Sequence, residues 1–265
     1  MNTYLDRFRA DGKVAIVTGA SSGLGLGFAR ALGSVGVSVV VAARRGARLD
    51  ELCDELESQG ITSHPVVMDV TDPDHCKKLV GTAVDRFGHL DILVNNAGVG
   101  GSVPSHKESP EHFRTVVDVN LMGTYWMAQA AAEAMTPGSA IVNVASLHSF
   151  TASQFPQAAY SASKAGVLGL TRDLASQWSK RRGIRVNALC PGYVETEMTG
   201  EAIAPLSQMV EQRSILGRLA DPSRDGLRPD IPRHRGLFVH DRRIFVAGWR
   251  ILGRLNCCPA PFSVT

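Results

Sequence analysis

Tyr160 and Lys164 stand four positions apart in "YSASK", in a stretch where Ala159, Ala162, Ala165, Leu168 and Leu170 suggest a helix and no proline intervenes before Pro191. Positions i and i+4 share a helix face one turn apart, so a phenol lies over an ammonium. Alone, such a pair is an ordinary solvated couple. With other polar groups around it, it becomes a proton-transfer unit, because a nearby cation draws a phenol down from its usual pKa of ~10. A second kind of chemistry sits near the start of the chain. "TGASSGLGLG" sets Thr18, Gly19, Ser21, Ser22, Gly23, Leu24 and Gly25 between a buried apolar run and a helical pattern carrying Phe28, Ala29 and Leu32. Glycines there permit a tight turn and close approach of backbone to a pyrophosphate. The helix N-terminus adds N–H donors and the positive end of a dipole.

The elements that must position these groups alternate along the chain. Residues 13–19, 37–43, 64–70, 90–96, 140–146 and 184–190 are continuous apolar runs, the pattern of parallel strands covered on both faces. Between them lie amphipathic helices. Leu49, Leu52, Cys53 and Leu56 share one face, and Cys76, Leu79, Val80, Ala83, Val84 and Phe87 share another. The alternation predicts an α/β chain, a three-layer doubly wound Rossmann fold with a parallel sheet of six to seven strands. Residues 1–220 form a single domain of this kind, and 221–265 an atypical tail.

At the end of the second strand the chain continues Ala42, Ala43, Arg44, Arg45, and the next acid is Asp50. A free adenosine ribose is usually held by an acid at that place, ~20 residues past the glycines. Alanines leave room instead, and arginines can hold a 2′-phosphate by charge-assisted hydrogen bonds. NADP(H) is therefore the expected cofactor, with NAD(H) as the alternative.

Seven motifs in order resemble the short-chain dehydrogenase/reductase family over about residues 10–220. They are T-G-x-x-x-G-x-G at 18–25, Asp69 at the end of the third strand, "NNAG" at 95–98, Asn120 in "DVNLMG", Ser146 in "VNVAS", "YSASK", and "PGYVETEM" at 191–198. The form of the first motif and the chain length resemble the short, 3-oxoacyl reductase-like branch. The resemblance implies an oxidoreductase interconverting a ketone and a secondary alcohol, the nicotinamide carrying the hydride. It implies that Tyr160 is the general acid or base, and that Lys164 lowers the Tyr160 pKa and bonds the nicotinamide ribose. Ser146 would hold the substrate oxygen, and Asn120, in a helix, would hold a relay water. Asp69 and Val70 would face the adenine. Asn96, Ala97 and Gly98 would line the cofactor, and Pro191, Gly192, Val194 and Thr196 would orient its nicotinamide end. Ser146 and Tyr160 lie one residue further apart than in the family pattern, and His148 in that loop is expected to be a pocket or surface histidine. An NAD-dependent alcohol dehydrogenase of the same fold is the rival enzyme. A nucleotide-binding sensor or scaffold is the rival of another class, which the intact Asn120, Ser146, Tyr160 and Lys164 argue against.

Leu147, Phe150, Phe155 and Tyr193 are expected to line the substrate site. Met198, Ile203, Leu206 and Met209 are expected to cover it as a lid, which suits a moderately apolar, small-molecule ketone or alcohol of 3-oxoacyl type. The family expectation for assembly is a homodimer or homotetramer through helices over Met122–Met135 and Tyr160–Trp178.

Composition limits other readings. The 265 residues are 44% apolar, and the net charge of +3 is split as +4 over 221–265 and −1 over the rest, so the body offers no electrostatic case for nucleic acid. No apolar run nears the ~18 residues that cross a bilayer, and the polar start lacks a secretory core. Five cysteines without metal-ligand spacing suit free thiols in a reducing compartment. A cytoplasmic, metal-free protein away from membranes is the expectation. The resemblance stops in the tail. Pro229, Pro232, Gly226 and Gly236 oppose the apolar helix that the family would place there, and only 243–249 has strand character. A shifted reading frame from about residue 224, or an equally drastic divergence, would leave an incomplete sheet edge.

Overall fold

The computed structural model describes residues 9–152, 155–197, 203–213, 219–220 and 244–246. Six strands carry the predicted runs: β1 (Val14–Thr18), β2 (Ser38–Ala43), β3 (Ser63–Val67), β4 (Ile92–Asn95), β5 (Ala140–Val144) and β6 (Arg185–Cys190). A short β7 (Ile244–Val246) joins them, and the parallel sheet runs β3-β2-β1-β4-β5-β6-β7. Part of the run 243–249, whose strand character allows it to take the sheet edge, does so, Ala188 pairing with Ile244 and Cys190 with Val246. The remaining expectations for 221–265 lie outside the described residues.

The strands read as unbroken apolar runs because both faces are covered. Along β1 and β2, Ile16, Val40 and Ala42 pack with α3 (Pro73–Phe87), α5 (Gly123–Ala134) and α6 (Ala158–Arg182). The alternate residues Ala15, Val17, Val39 and Val41 pack with α1 (Gly23–Ser34) and α2 (Gly46–Ser58). Successive side chains on a strand point to opposite faces, so one sheet closes two cores and three layers result. The helix faces named from spacing are the buried ones: Leu49, Leu52, Cys53 and Leu56 on α2, and Cys76, Leu79, Val80 and Ala83 on α3.

Two local features depart from expectation and matter for the site. The third strand ends at Val67, before Asp69. The Asp69 carboxylate accepts from the Thr71 N–H at 2.9 Å and the Thr71 hydroxyl at 2.8 Å, a tight turn that takes the chain off the sheet. Asp72 then caps α3 by accepting from the N–H groups of Asp74 and His75, with Pro73 in the first turn. The second departure is a π-helical turn at Asp118–Met122, between α4 (Pro110–Val117) and α5, which carries Asn120. Such wide turns are rare and cluster at functional sites.

The order of the sheet reverses at β1, which pairs with β2 on one side and β4 on the other. Crossovers from these strands lead to opposite faces and leave a crevice at their C-terminal ends. Two glycines test how tight the chain is there. A Cβ on Gly25 would lie 2.3 Å from the Gly19 carbonyl oxygen, whereas one on Gly81, within α3, would meet nothing within 4 Å. Gly25→Ala should therefore destabilise the protein by about 1–3 kcal/mol, as overpacking does, while Gly81→Ala should stabilise it by up to about 1 kcal/mol. Urea denaturation midpoints of the two variants, expected to move in opposite directions, check this.

Candidate active site

The crevice opens into one cavity of about 600 Å3 that continues from the β1–α1 turn to the first turns of α6. At its first end lies the glycine turn. Gly19 has φ +66, and a Cβ there would sit 2.8 Å from Ala97 Cα, so only glycine fits. Gly23 (φ +56) faces Thr196 in the same way, with a Cβ placed 3.1 Å from Thr196 Cγ2. The turn is held from across the sheet. Thr18 Oγ1 accepts from the N–H groups of Asn96 at 3.0 Å and Ala97 at 3.1 Å, and Asn96 Nδ2 donates to the carbonyls of Thr18 at 3.0 Å and Gly19 at 3.2 Å. At the head of α1, Ser22 makes no side-chain capping bond, and the first turn has no acid. The first N–H groups of the helix are thus left for an anion. With the bare backbone at Gly19, which lines the cavity, this fits the diphosphate of a dinucleotide.

Gly19, Ser21, Ser22 and Leu24 line this end, with Arg44, Arg45, Asp69, Val70 and Asn96. Arg45 is folded back onto the turn, donating to Ser21 Oγ at 3.1 Å, Ser22 Oγ at 2.9 Å and Glu197 Oε2 at 2.9 Å. Arg44 is exposed at the mouth. Burial pushes the Asp69 carboxyl up, but the Thr71 donors and the charges of Arg44 and His75 outweigh it and hold the group below its ordinary value.

At the other end Ser146, Tyr160 and Lys164 meet, brought by β5 and α6, with Ala97, Gly98, Pro191, Gly192, Val194 and Thr196 along the wall between. The Ser146 side chain lies close enough to the Tyr160 phenol to draw its pKa down against the effect of burial. Ser146 Oγ also accepts from the His148 N–H at 3.1 Å, which fixes it at the mouth of a short turn over Leu147–Ser149. Lys164 is 4% exposed. Its Nζ donates to the Val144 carbonyl at 2.7 Å and lies 6.0 Å from the centre of the Tyr160 ring. A phenol, a hydroxyl and an ammonium on one wall can hold a carbonyl oxygen and exchange a proton with it. The chain belongs to the short-chain dehydrogenase/reductase family. The family model described as short chain dehydrogenase matches residues 13–206. The 3-oxoacyl-(acyl-carrier-protein) reductase FabG of Thermotoga maritima is 35% identical over 216 residues, 81% of this chain and 87% of its own. The galactitol 2-dehydrogenase (L-tagatose-forming) of Cereibacter sphaeroides is 40% identical over 200 residues, 74% and 77% of the two chains. The structure of a short chain dehydrogenase from Burkholderia cenocepacia J2315 in complex with NADP superposes with a TM-score of 0.76 at 29% identity, covering 81% of this chain and 87% of that one. The chain is accordingly an NAD(P)-dependent oxidoreductase.

As a short-chain dehydrogenase it departs from several details read from its sequence. Thr18, Gly23, Gly25 and Asn120 do not line the cavity but stand behind its wall. Asn120 is fully buried; its Oδ1 accepts from the Val99 N–H at 2.8 Å, and its Nδ2 donates to the Val99 carbonyl at 2.9 Å and to Ser163 Oγ at 3.0 Å. Its side chain clamps the loop after Gly98 to α6. Lys164 does not lower the phenol in the resting protein. Burial raises Tyr160, and only the Ser146 hydrogen bond opposes it, while burial brings Lys164 itself down to about 8. Desolvation outweighs the attraction because the ammonium is turned to Val144 rather than to the phenol oxygen. Phe150 is 39% exposed and does not line the cavity, whereas Leu147, Phe155 and Tyr193 do. Of the expected lid, Leu206 on α7 (Ile203–Arg213) is buried against Phe155, Tyr193 and Val210. Met198 and the side chains of Ile203 and Met209 lie outside the described residues. The sequence reading missed Gly100, Gly101, Ser102 and Gln157 as lining residues; the glycines that follow "NNAG" were the available signal. It also left open the place of His148, which is buried in the wall.

The lowered Lys164 pKa has a pH consequence. The ammonium is half lost at about pH 8, so its contribution to holding a ribose must fade as pH rises through that value. NADPH affinity should fall between pH 7 and 9.5, and Lys164→Met should bind weakly with a flat profile. A nicotinamide fluorescence titration measures both, and a flat parent profile would remove the ammonium from cofactor binding.

Proposed function

We propose that the protein is an NADPH-dependent carbonyl reductase converting a ketone to a secondary alcohol, with Tyr160 as general acid. The observation that carries this is the meeting of Ser146, Tyr160 and the buried Lys164 on one wall of the cavity. A bound nicotinamide supplies the hydride to the carbonyl carbon. Ser146 donates to the carbonyl oxygen and steadies the charge that develops there. Tyr160 gives its proton to that oxygen, so the C=O double bond becomes a C–O–H single bond, and the phenolate left behind lies on the same wall as the Lys164 ammonium, whose Nζ is 6.0 Å from the ring centre. A raised phenol pKa suits this direction, because Tyr160 holds its proton at neutral pH. Oxidation of an alcohol would need the phenolate and so a higher pH. Thr18, Asn96, Asn120 and the glycines hold the walls, and Asp69 with Val70 takes the adenine.

The preference for NADPH is supported by Ala42, Ala43, Arg44 and Arg45 along the cavity where an acid would hold a bare ribose. It is also supported by the relative from Burkholderia cenocepacia, whose structure contains NADP. Arg44, exposed at the mouth, can meet a 2′-phosphate, whereas Arg45 must first exchange Ser21, Ser22 and Glu197 for it. Use of NAD(H) in alcohol oxidation is the rival reading. The reading extends to a homodimer or homotetramer. Phe113 (40% exposed) on α4 and Met122 (36% exposed) offer apolar surface next to the segment 122–135. Among the described residues no helix is long and apolar enough to cross a membrane.

Turnover of a ketone panel with each cofactor tests the reading. Tyr160→Phe should abolish reduction and leave NADPH affinity nearly intact, because ring packing is kept. Activity within tenfold of the parent would take Tyr160 out of the mechanism. Arg44→Ala should weaken NADPH by about 2–3 kcal/mol, as for a charge-assisted hydrogen bond, and leave NADH unchanged. Equal affinity of the parent for both cofactors would sink the assignment to the 2′-phosphate. Light scattering should find a dimer or tetramer, and monomer alone would overturn the assembly.

A further inference from the structure

We propose that Glu197 limits the cofactor discrimination of this enzyme: its carboxylate holds Arg45 in the place of a cofactor 2′-phosphate and must leave before NADPH can use that arginine. This rests on the NADPH reading and names a residue that works against it. Glu197 follows Thr196 in the segment that leaves β6, and Arg45 is the residue before α2. The two are 152 positions apart, yet Arg45 Nη1 donates to Glu197 Oε2 at 2.9 Å. The same guanidinium donates through Nε to Ser21 Oγ at 3.2 Å, and through Nη2 to Ser21 Oγ at 3.1 Å and Ser22 Oγ at 2.9 Å. One carboxylate is thus tied, through one arginine, to the turn that precedes α1. Thr196 holds the segment there, since a Cβ on Gly23 would lie 3.1 Å from Thr196 Cγ2. The Arg45 hydrogen bond and charge, with Ser22 and Arg48 adding to them, outweigh burial and hold the Glu197 carboxyl below its ordinary value, so it is an anion at neutral pH.

An anion that already satisfies these donors competes with any other anion that seeks them. A 2′-phosphate brings about −1.5 to −2 charges and three acceptor oxygens, enough to replace the carboxylate on Arg45 and to reach the serine hydroxyls as well. The ribose hydroxyls of NADH are neutral and do not draw a guanidinium away from a carboxylate. Glu197 therefore weakens NADPH and leaves NADH untouched. Specificity is a difference of two affinities, and a group that opposes one ligand alters it as surely as a group that attracts the other. The size of the effect follows from exposure. The Arg45 and Glu197 side chains are 49% and 54% exposed, and an ion pair so open to water is weak and easily parted. The apparent affinity for NADPH falls with the fraction of molecules in which the pair is closed. Arg44, exposed at the mouth, supplies a preference for NADPH that Glu197 reduces without abolishing.

The test measures the dissociation constants of NADPH and NADH, from nicotinamide fluorescence, in the parent and in Glu197→Gln, which keeps the shape of the side chain and removes its charge. The variant should bind NADPH about threefold or more tighter and NADH within about twofold of the parent. The gain should vanish when Arg45→Ala is combined with Glu197→Gln, because the carboxylate acts through that guanidinium. An unchanged NADPH constant in Glu197→Gln, an equal gain for NADH, or a gain that persists beside Arg45→Ala overturns the proposal. A second measurement reads the parent and needs no turnover. With 13C at the glutamate carboxyls, the Glu197 resonance should shift with adenosine 2′,5′-bisphosphate and not with adenosine 5′-monophosphate; the same response to both also overturns it. A gain in NADPH binding without reduction of any ketone would refute the carbonyl reductase reading and leave the Glu197 competition standing. Ketone turnover with NADPH and no such gain would refute the competition alone. Equal binding of NADPH and NADH by both proteins would refute the competition and the NADPH reading together.

Discussion

The site depends on how the ends of β1 and β4 are joined. The sheet reverses its order between them, and nothing in strand pairing alone fixes the loops that leave them. A single hydroxyl does much of this. Thr18 Oγ1 takes two backbone N–H groups from the loop after β4, while Asn96 returns two bonds to the glycine turn. A serine could make the same bonds with less rotamer restriction, and a valine would leave two inward N–H groups unpaired. Once the two loops are locked, the crevice has a floor, Gly98 is placed below Lys164, and Val99 can reach Asn120. The π-turn that carries Asn120 completes the second wall, since Gly123 just beyond it lets Val70 approach where a Cβ would sit 2.7 Å from Val70 Cγ2.

The chemical end is governed by the opposition of burial and attraction. Removing water raises the phenol and lowers the ammonium, so each group moves toward its neutral form. The two shifts part groups that would be nearly equal in proton affinity in water, so that the phenol holds its proton more firmly than the ammonium does. The proton on Tyr160 is thereby both secure at neutral pH and next to an amine that still carries a charge below about 8.

Much of this was legible beforehand because the relevant signals are local. Strand runs covered on both faces, helix stripes such as Leu49, Leu52, Cys53 and Leu56, and the glycine turn depend on neighbours in sequence, and they appear where expected. Many of the motif residues also line one cavity, while Thr18, Gly23, Gly25 and Asn120 stand behind its wall. What stayed hidden depends on three-dimensional packing. The Asp69 turn ended β3 early through a side-chain bond that no periodicity records. The pKa directions follow from burial, and Phe150 turned outward while His148 turned inward within one short loop. Arg44 and Arg45 look alike in sequence, yet one is engaged with the glycine turn and the other is at the mouth.

The bonds between Thr18 and the loop after β4 join residues 78 and 79 positions apart. Closing so long a segment is entropically costly and makes such contacts late in folding relative to hairpins or single helices. The phosphate-facing turn therefore has no reason to take shape in a short N-terminal fragment, however perfect its glycines. Its geometry arrives only with the centre of the sheet. Local opening of the turn is then hard to separate from opening of that centre, and a ligand bound there guards the whole domain. A nucleotide present at a hundred times its dissociation constant would raise global stability by about 2.7 kcal/mol, so the cell's supply of cofactor also sets how often this chain unfolds.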